Sequence, residues 1–165
     1  MTGSLMTTIG LSLHLFASTP GGFLSEAIHE MTLMDWVNAV VYHRSLGKIV
    51  DAVRFAHVES NRLFPNDPYR PNGKGNAFKH AVWSAVMSSE IGSGAARRIS
   101  NGHEDWPKNP PLEKAMDLHN NAIGNAVGDR LPGGKRSEIE DAILRELKNG
   151  KLRYIKAGRL IPTNE

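Results

Sequence analysis

A chain of 165 residues with 40% hydrophobic content can bury one core of its own but not two comfortably, and the absence of cysteine excludes a disulfide framework, a zinc–thiolate centre and a catalytic thiol. Any metal would have to be held by histidine, carboxylate or amide groups. The formal net charge of +3 is a mild excess that suits anionic partners but lacks the dense basic stripe of a dedicated nucleic-acid binder.

The chain opens with 25 residues that contain no Asp, Glu, Lys or Arg, and Ile9 to Ala17 form an apolar run. This is a poor signal peptide, because a positive n-region is missing and Ser12 and His14 interrupt the run. No stretch approaches the roughly 18–20 apolar residues of a membrane span, so no transmembrane segment is expected. Met6 is a candidate natural start, and the composition equally fits a domain cut from a longer protein with its delivery region upstream. The organisation predicted is this N-terminal segment, 1–25, followed by a single helical domain, 26–165.

Between Thr32 and Leu63, Leu33, Trp36, Val37, Val40 and Val41, then Ile49, Val50, Val53, Ala56 and Val58, recur at helical spacing, and Gly47 is expected to split them into two helices. Phe64 to Gly75 holds three prolines and two glycines in twelve residues, which predicts a loop. Asn76 then stands as an N-cap for a helix through Ala77, Phe78, Ala81, Val82, Ala85 and Val86 to about Glu90. A helix through Ala95, Ala96 and Ile99 should stop at Asn101-Gly102, leaving His103 and Glu104 at the head of a proline-rich loop. Leu112 to Val127 reads as the next helix, on which Gly124 and Gly128 lie one turn apart and admit a close neighbour. Ser137 and Glu140 have capping-box spacing for a helix through Ile139, Ile143, Leu144 and Leu147 that Asn149-Gly150 ends. The tail around Gly158 alternates weakly, which fits a short hairpin. From Arg130 to Arg159 there are nine Lys or Arg against four Asp or Glu, most simply a solvated helix face and tail. The fold class expected is mainly α, a single helical domain with a short C-terminal β-hairpin.

The candidate site lies between Asn76 and Asn121. Asn76, His80, Trp83 or Ser84, and Met87 share one face of their helix. A lone His80 would most simply be a core histidine satisfied by one hydrogen bond. However, the Leu112 helix carries Asp117, Asn120 and Asn121 along an otherwise apolar surface. Such groups are costly to bury unless they satisfy one another, a ligand or an ion, and they are poor helix formers besides. The competing view is a solvent-facing Asn-rich side. His103 and Glu104 complete the constellation from the loop. On an extended segment neighbouring side chains point apart, so one of the two is expected at the centre: His103, with Glu104 orienting it. The metal-ligand set expected is therefore His80, His103 and Asp117, the catalytic set those three with Glu104, and the binding set Asn76, His119, Asn120 and Asn121. No zinc-protease spacing, nucleophile elbow or phosphate-binding glycine loop is present, and His119-Asn120-Asn121 shares only letters with the His-Asn-His nucleases.

The runs Gly73-Lys74-Gly75-Asn76-Ala77-Phe78-Lys79-His80-Ala81-Val82-Trp83-Ser84-Ala85, Gly102-His103-Glu104 and Met116-Asp117-Leu118-His119-Asn120-Asn121-Ala122-Ile123-Gly124 together resemble a bacterial domain family of largely unassigned function. Its members are found at the C-termini of large secreted or contact-delivered proteins similar to polymorphic toxins. Lys79 stands where the family pattern has Arg. The resemblance implies a secreted or delivered antibacterial domain with a cognate immunity protein as partner, and does not supply the chemistry. The residues themselves suggest a hydrolase, with a divalent metal (zinc, manganese, magnesium or calcium) or with His80 as base. Phosphoester or phospholipid substrates suit the basic tail; a nuclease ranks below them, for want of aromatics to stack on bases. The rival is a non-catalytic helical binding module fixed by a buried polar network.

Overall fold

The computed structural model describes Asn38 and residues 41–165. The uncharged segment 1–25, Met6 and nearly all of the helical pattern upstream of Val41 lie outside the described residues. Helix α1 runs Leu46–Leu63 behind a 3-10 turn at His43–Ser45. The expected break therefore falls upstream of Gly47, which is tolerated in the first helical turn because its N–H has no intrahelical bond to lose. Ala52, Ala56 and Ser60 are the buried face of α1, and Ser60 donates to the Gly75 carbonyl at 2.7 Å.

Helix α2, Lys74–Ile91, begins before Asn76, so Asn76 is not its N-cap. Asp67 takes that role from the loop, its carboxylate accepting the N–H groups of Gly75 at 2.7 Å and Tyr69 at 3.0 Å. Gly73 must be glycine there, since a Cβ would stand 2.2 Å from the Asp67 carboxylate. The Asn76 side chain is thereby left for another task. Phe78, Ala81, Val82, Ala85, Val86 and Met87 are all buried, and α2 is apolar around most of its circumference because the other helices surround it.

Helix α3, Ser93–His103, turns off Gly92, whose φ of +88° a side chain would strain. It does not stop at Gly102, which is buried inside its last turn, and Glu104 follows in helical conformation. Helix α4 is Pro111–Asp129, opened by proline at its first position. It lies against α2 over most of its length. Ser84 meets Asn121 and Ser88 meets Asp129, so the two helices run in the same direction with α3 returning between them. The close approach expected from the glycines is present: a Cβ on Gly124 would stand 2.1 Å from the Ala81 carbonyl oxygen, and one on Gly128 2.2 Å from that of Ala85.

Helix α5 is Arg136–Lys148. Its start precedes Ser137, and the carboxylate reaching back to a free N–H is Glu138, to Lys135 at 3.3 Å, whereas Glu140 meets Arg62 at 2.6 Å. Asn149-Gly150 ends the helix as expected, with Gly150 at φ +69°. Strands β1, Arg153–Lys156, and β2, Arg159–Pro162, form the hairpin around Ala157-Gly158, both at positive φ. Among the described residues no helix is long and apolar enough to cross a membrane.

Candidate metal centre

Three helix segments converge near the N-terminal end of the α2–α4 pair. His80, on the second turn of α2, is 7% exposed; Asp117, on α4, is 7% exposed; Glu104, just past the end of α3, is 3% exposed. Glu104 Oε1 lies 3.5 Å from His80 Nδ1, and Asp117 Oδ1 lies 3.5 Å from Nε2. One donor atom from each residue falls within 4.8 Å of the others, an arrangement able to hold a metal ion.

Each carboxylate has an amide behind it. Asn76 donates to Asp117 Oδ1 at 3.3 Å, and Asn109 donates both to Glu104 Oε2 at 3.1 Å and to the Glu104 carbonyl at 3.2 Å. These amides orient the two acids, whereas the atoms that face the centre are left over: His80 Nδ1 and Glu104 Oε1 are buried with no hydrogen-bond partner, and so is Trp83 Nε1 alongside. Leaving such groups unmet costs about 1–3 kcal/mol each, so the arrangement is not explained by the stability of the bare protein.

Burial pushes all three groups toward their neutral forms. The Asp117 carboxyl is raised to about 8, first by burial and then by the negative charge of Glu104. Glu104 is raised by burial, and His80 is driven well below the usual imidazole range by burial and by the positive charges of Lys79 and His103. Although the two His80–carboxylate contacts are within ion-pair distance, a charged imidazolium is disfavoured, because desolvation outweighs attraction at 3.5 Å. A divalent cation among the three would invert the balance by stabilising both carboxylates and requiring His80 neutral.

The structure places Glu104, not His103, with His80 and Asp117. The expectation of an extended segment at 103–104 does not hold, since α3 continues through His103 and Glu104 keeps helical backbone angles. The half-buried His103 ring stands edge-on to Trp83, with centroids 5.5 Å apart, and Trp83 is likewise edge-on to His80 at 6.3 Å. Asn76 joins the centre through Asp117. Asn120 and His119 face elsewhere, whereas Asn121 also borders the centre, where its amide favours the charged forms of His80 and Glu104. Asn120 clasps the backbone of Arg153 with two bonds of 2.9 Å, and His119 Nε2 meets the Lys151 carbonyl at 2.8 Å, so both fasten the hairpin. Asn121 accepts from Ser84 at 2.9 Å and donates to the Ser100 carbonyl at 3.2 Å, tying α2, α3 and α4 together. Lys79, Trp83 and Asn109 escaped the sequence reading as parts of the site. Trp83 carried a signal in sharing the His80 face, and Asn109 one as an amide placed before two prolines that stiffen its loop.

A family model described as a domain of unknown function, DUF6973, matches residues 37–151. The chain belongs to this family. The DUF6973 match contains His80, Glu104 and Asp117 with the amides that orient them, and it stops just short of β1. No solved structure matches the chain.

Proposed function

We propose that this DUF6973 domain is a metal-dependent hydrolase acting on phosphoester bonds, with His80, Glu104 and Asp117 as the ligands of one divalent cation. The observation that carries the reading is the group of buried donors from three helix segments whose inward atoms, His80 Nδ1 and Glu104 Oε1, make no hydrogen bond and face each other at 3.5 Å. One imidazole and two carboxylates neutralise a divalent charge and, without thiolate, favour borderline and hard ions. When bound, such an ion lowers the pKa of a water molecule and neutralises charge on a phosphoryl group.

The remaining roles belong to the chain. Asn76 and Asn109 fix the two carboxylates, as groups behind metal ligands do elsewhere, and their loss there costs about 10–100-fold in affinity or activity. Lys79 puts positive charge beside the centre, where an anionic substrate would gather. To His103, beside Trp83, this reading assigns the proton that a leaving oxygen takes up. We further propose the setting that the resemblance implies, a secreted or delivered antibacterial toxin domain held in check by an immunity protein. A nuclease is the runner-up on the same centre.

The test is hydrolysis of bis(p-nitrophenyl) phosphate and of phospholipid by chelator-treated protein with zinc, manganese, magnesium or calcium restored singly. Activity that returns with one of these ions in wild type, and not in Asp117→Asn, is expected. Equal activity with and without chelator overturns the metal-dependent reading. The non-catalytic alternative draws on the satisfied Asn120 and Asn121 bonds. It predicts no turnover of either substrate.

A further inference from the structure

Lys156 and Arg159, both exposed, are direct cross-strand partners on either side of the hairpin turn. Like charges in that position oppose strand pairing. Lys156 Nζ lies 5.5 Å from the centre of the Tyr69 ring, Tyr69 packs against Tyr154 at 5.4 Å, and Lys74 Nζ lies 5.4 Å from the centre of the Tyr154 ring. Two lysines thus sit against one tyrosine pair with Arg159 opposite Lys156, and among the described residues none of the three forms an ion pair. Residues 153–162 contain no Asp or Glu, and Asp67, the acid of the adjoining loop, is occupied by the N–H groups of Gly75 and Tyr69.

This patch borders the metal centre. Lys74 opens the same helical turn as Asn76, which holds Asp117, and Asn120, one turn along α4 from Asp117, clasps β1 at Arg153. A ligand drawn to the hairpin therefore meets the N-terminal end of α2, where His80 lies.

We propose that the Lys74–Lys156–Arg159 face docks the domain on an anionic lipid bilayer. Tyr154 is buried, and Tyr69, though 36% exposed, packs against it with Lys156 Nζ 5.5 Å from its centre, so the face offers no row of open rings on which successive nucleic-acid bases could stack. The tip itself, Ala157-Gly158, is small and uncharged, with half-buried Leu160 and Ile161 behind it and long cationic side chains on both flanks. That is the chemistry of a segment that settles at headgroup depth, its apolar stem beneath and its charges among the phosphates. The proposal rests on the phosphoesterase reading only in taking phospholipid as the substrate so delivered; docking itself is read without hydrolysis.

The experiment is co-sedimentation of the full chain with phosphatidylcholine vesicles, with and without phosphatidylglycerol, across a salt series. Wild type is expected to pellet with the anionic vesicles alone and to be released as salt rises. At roughly fivefold per cation, Lys156→Glu with Arg159→Glu should weaken binding more than tenfold, whereas the equal charge change Arg54→Glu with Arg98→Glu, on α1 and α3, stays within about twofold. Lys156→Gln, a gentler change that keeps the fold if the double variant does not, should lose a few-fold. No binding to anionic vesicles, equal loss in both double variants, or binding to duplex DNA in place of vesicles overturns the proposal. Failure here leaves hydrolysis of the soluble diester untouched, and failure of that hydrolysis leaves docking untouched.

Discussion

The same pair of helices, α2 and α4, buries polar side chains in two successive places and treats them differently. Around Ser84 and Ser100 the groups answer one another: Ser84 to Asn121, Asn121 to the Ser100 carbonyl, Asn125 to Ser100 and to the Asn121 carbonyl. Asn125 Oδ1 is the one atom of this set without a partner. A turn earlier, His80, Glu104 and Asp117 are also buried, yet His80 Nδ1 and Glu104 Oε1 make no hydrogen bond and the charges of all three are suppressed. Both regions are polar islands in one interface, and only the first is explained by folding. The difference separates a network that specifies the packing from a group whose geometry could hold a metal ion.

The hardest blow to this distinction would come from the centre itself. His80→Ala or Asp117→Ala is expected to lower metal-dependent hydrolysis by at least about 100-fold while circular dichroism and the melting temperature stay near wild type, because the only hydrogen bond lost is the 3.3 Å one from Asn76 to Asp117. If either variant melts far below wild type and activity falls only in proportion to unfolded protein, the centre is as structural as its neighbour.

On the packed side, Gly124→Ala should cost about 2–3 kcal/mol, since its Cβ would meet the Ala81 carbonyl oxygen at 2.1 Å and backbone cannot step aside. Denaturant unfolding measures it. A neutral substitution would mean that α2 and α4 do not lie as closely as described.

The third test uses pH. Asp117 binds its proton in the folded state up to about 8 but releases it near 4 when unfolded, so its contribution to stability falls as pH rises through that window. His80, lowered in the folded state, acts oppositely below its ordinary value of 6.5. Between about 6.5 and about 8 the His80 contribution has ended while Asp117 still acts, with Glu104, also raised, acting in the same direction, and Asp117 alone should cost metal-free wild type up to about 1.4 kcal/mol per pH unit. Asp117→Asn should flatten that slope and melt several degrees above wild type at pH 8; an unchanged slope would mean that the carboxyl is already ionised.

The most local expected effect belongs to the hairpin anchor. Asn120→Ala removes two bonds to Arg153 and should cost about 1–3 kcal/mol, read as faster amide exchange in β1, with metal binding unaltered. Loss of metal binding in this variant would place Asn120 in the centre after all.

Much of this was legible in the sequence. The helical periodicity from Ala77 to Val86 and the glycines of α4 announced the α2–α4 pair, and the cost of burying Asp117 and His80 marked the site. What misled was local geometry. Gly102 read as a stop because glycine so often follows a helix end, yet here its lack of a side chain serves burial inside the last turn. Those few extra helical residues carry Glu104 to His80 and turn His103 against Trp83. Asn76 looked like a cap because nothing in the sequence shows that Asp67 folds back to do the capping. The Asn120 and Asn121 roles were illegible for the same reason, since their partners, Arg153 and Ser84 with Ser100, lie far away along the chain.

The most direct measurement is calorimetric titration of zinc and of manganese into the metal-free protein at several pH values from 6.5 to 8.5, each in two buffers of different ionisation enthalpy. The account predicts one ion per chain, with protons released on binding below about pH 8 and fewer above it as Asp117 ionises unaided, and no binding in His80→Ala with Asp117→Asn. Binding that survives in that double variant with the same stoichiometry, or no binding by the wild type, would contradict it.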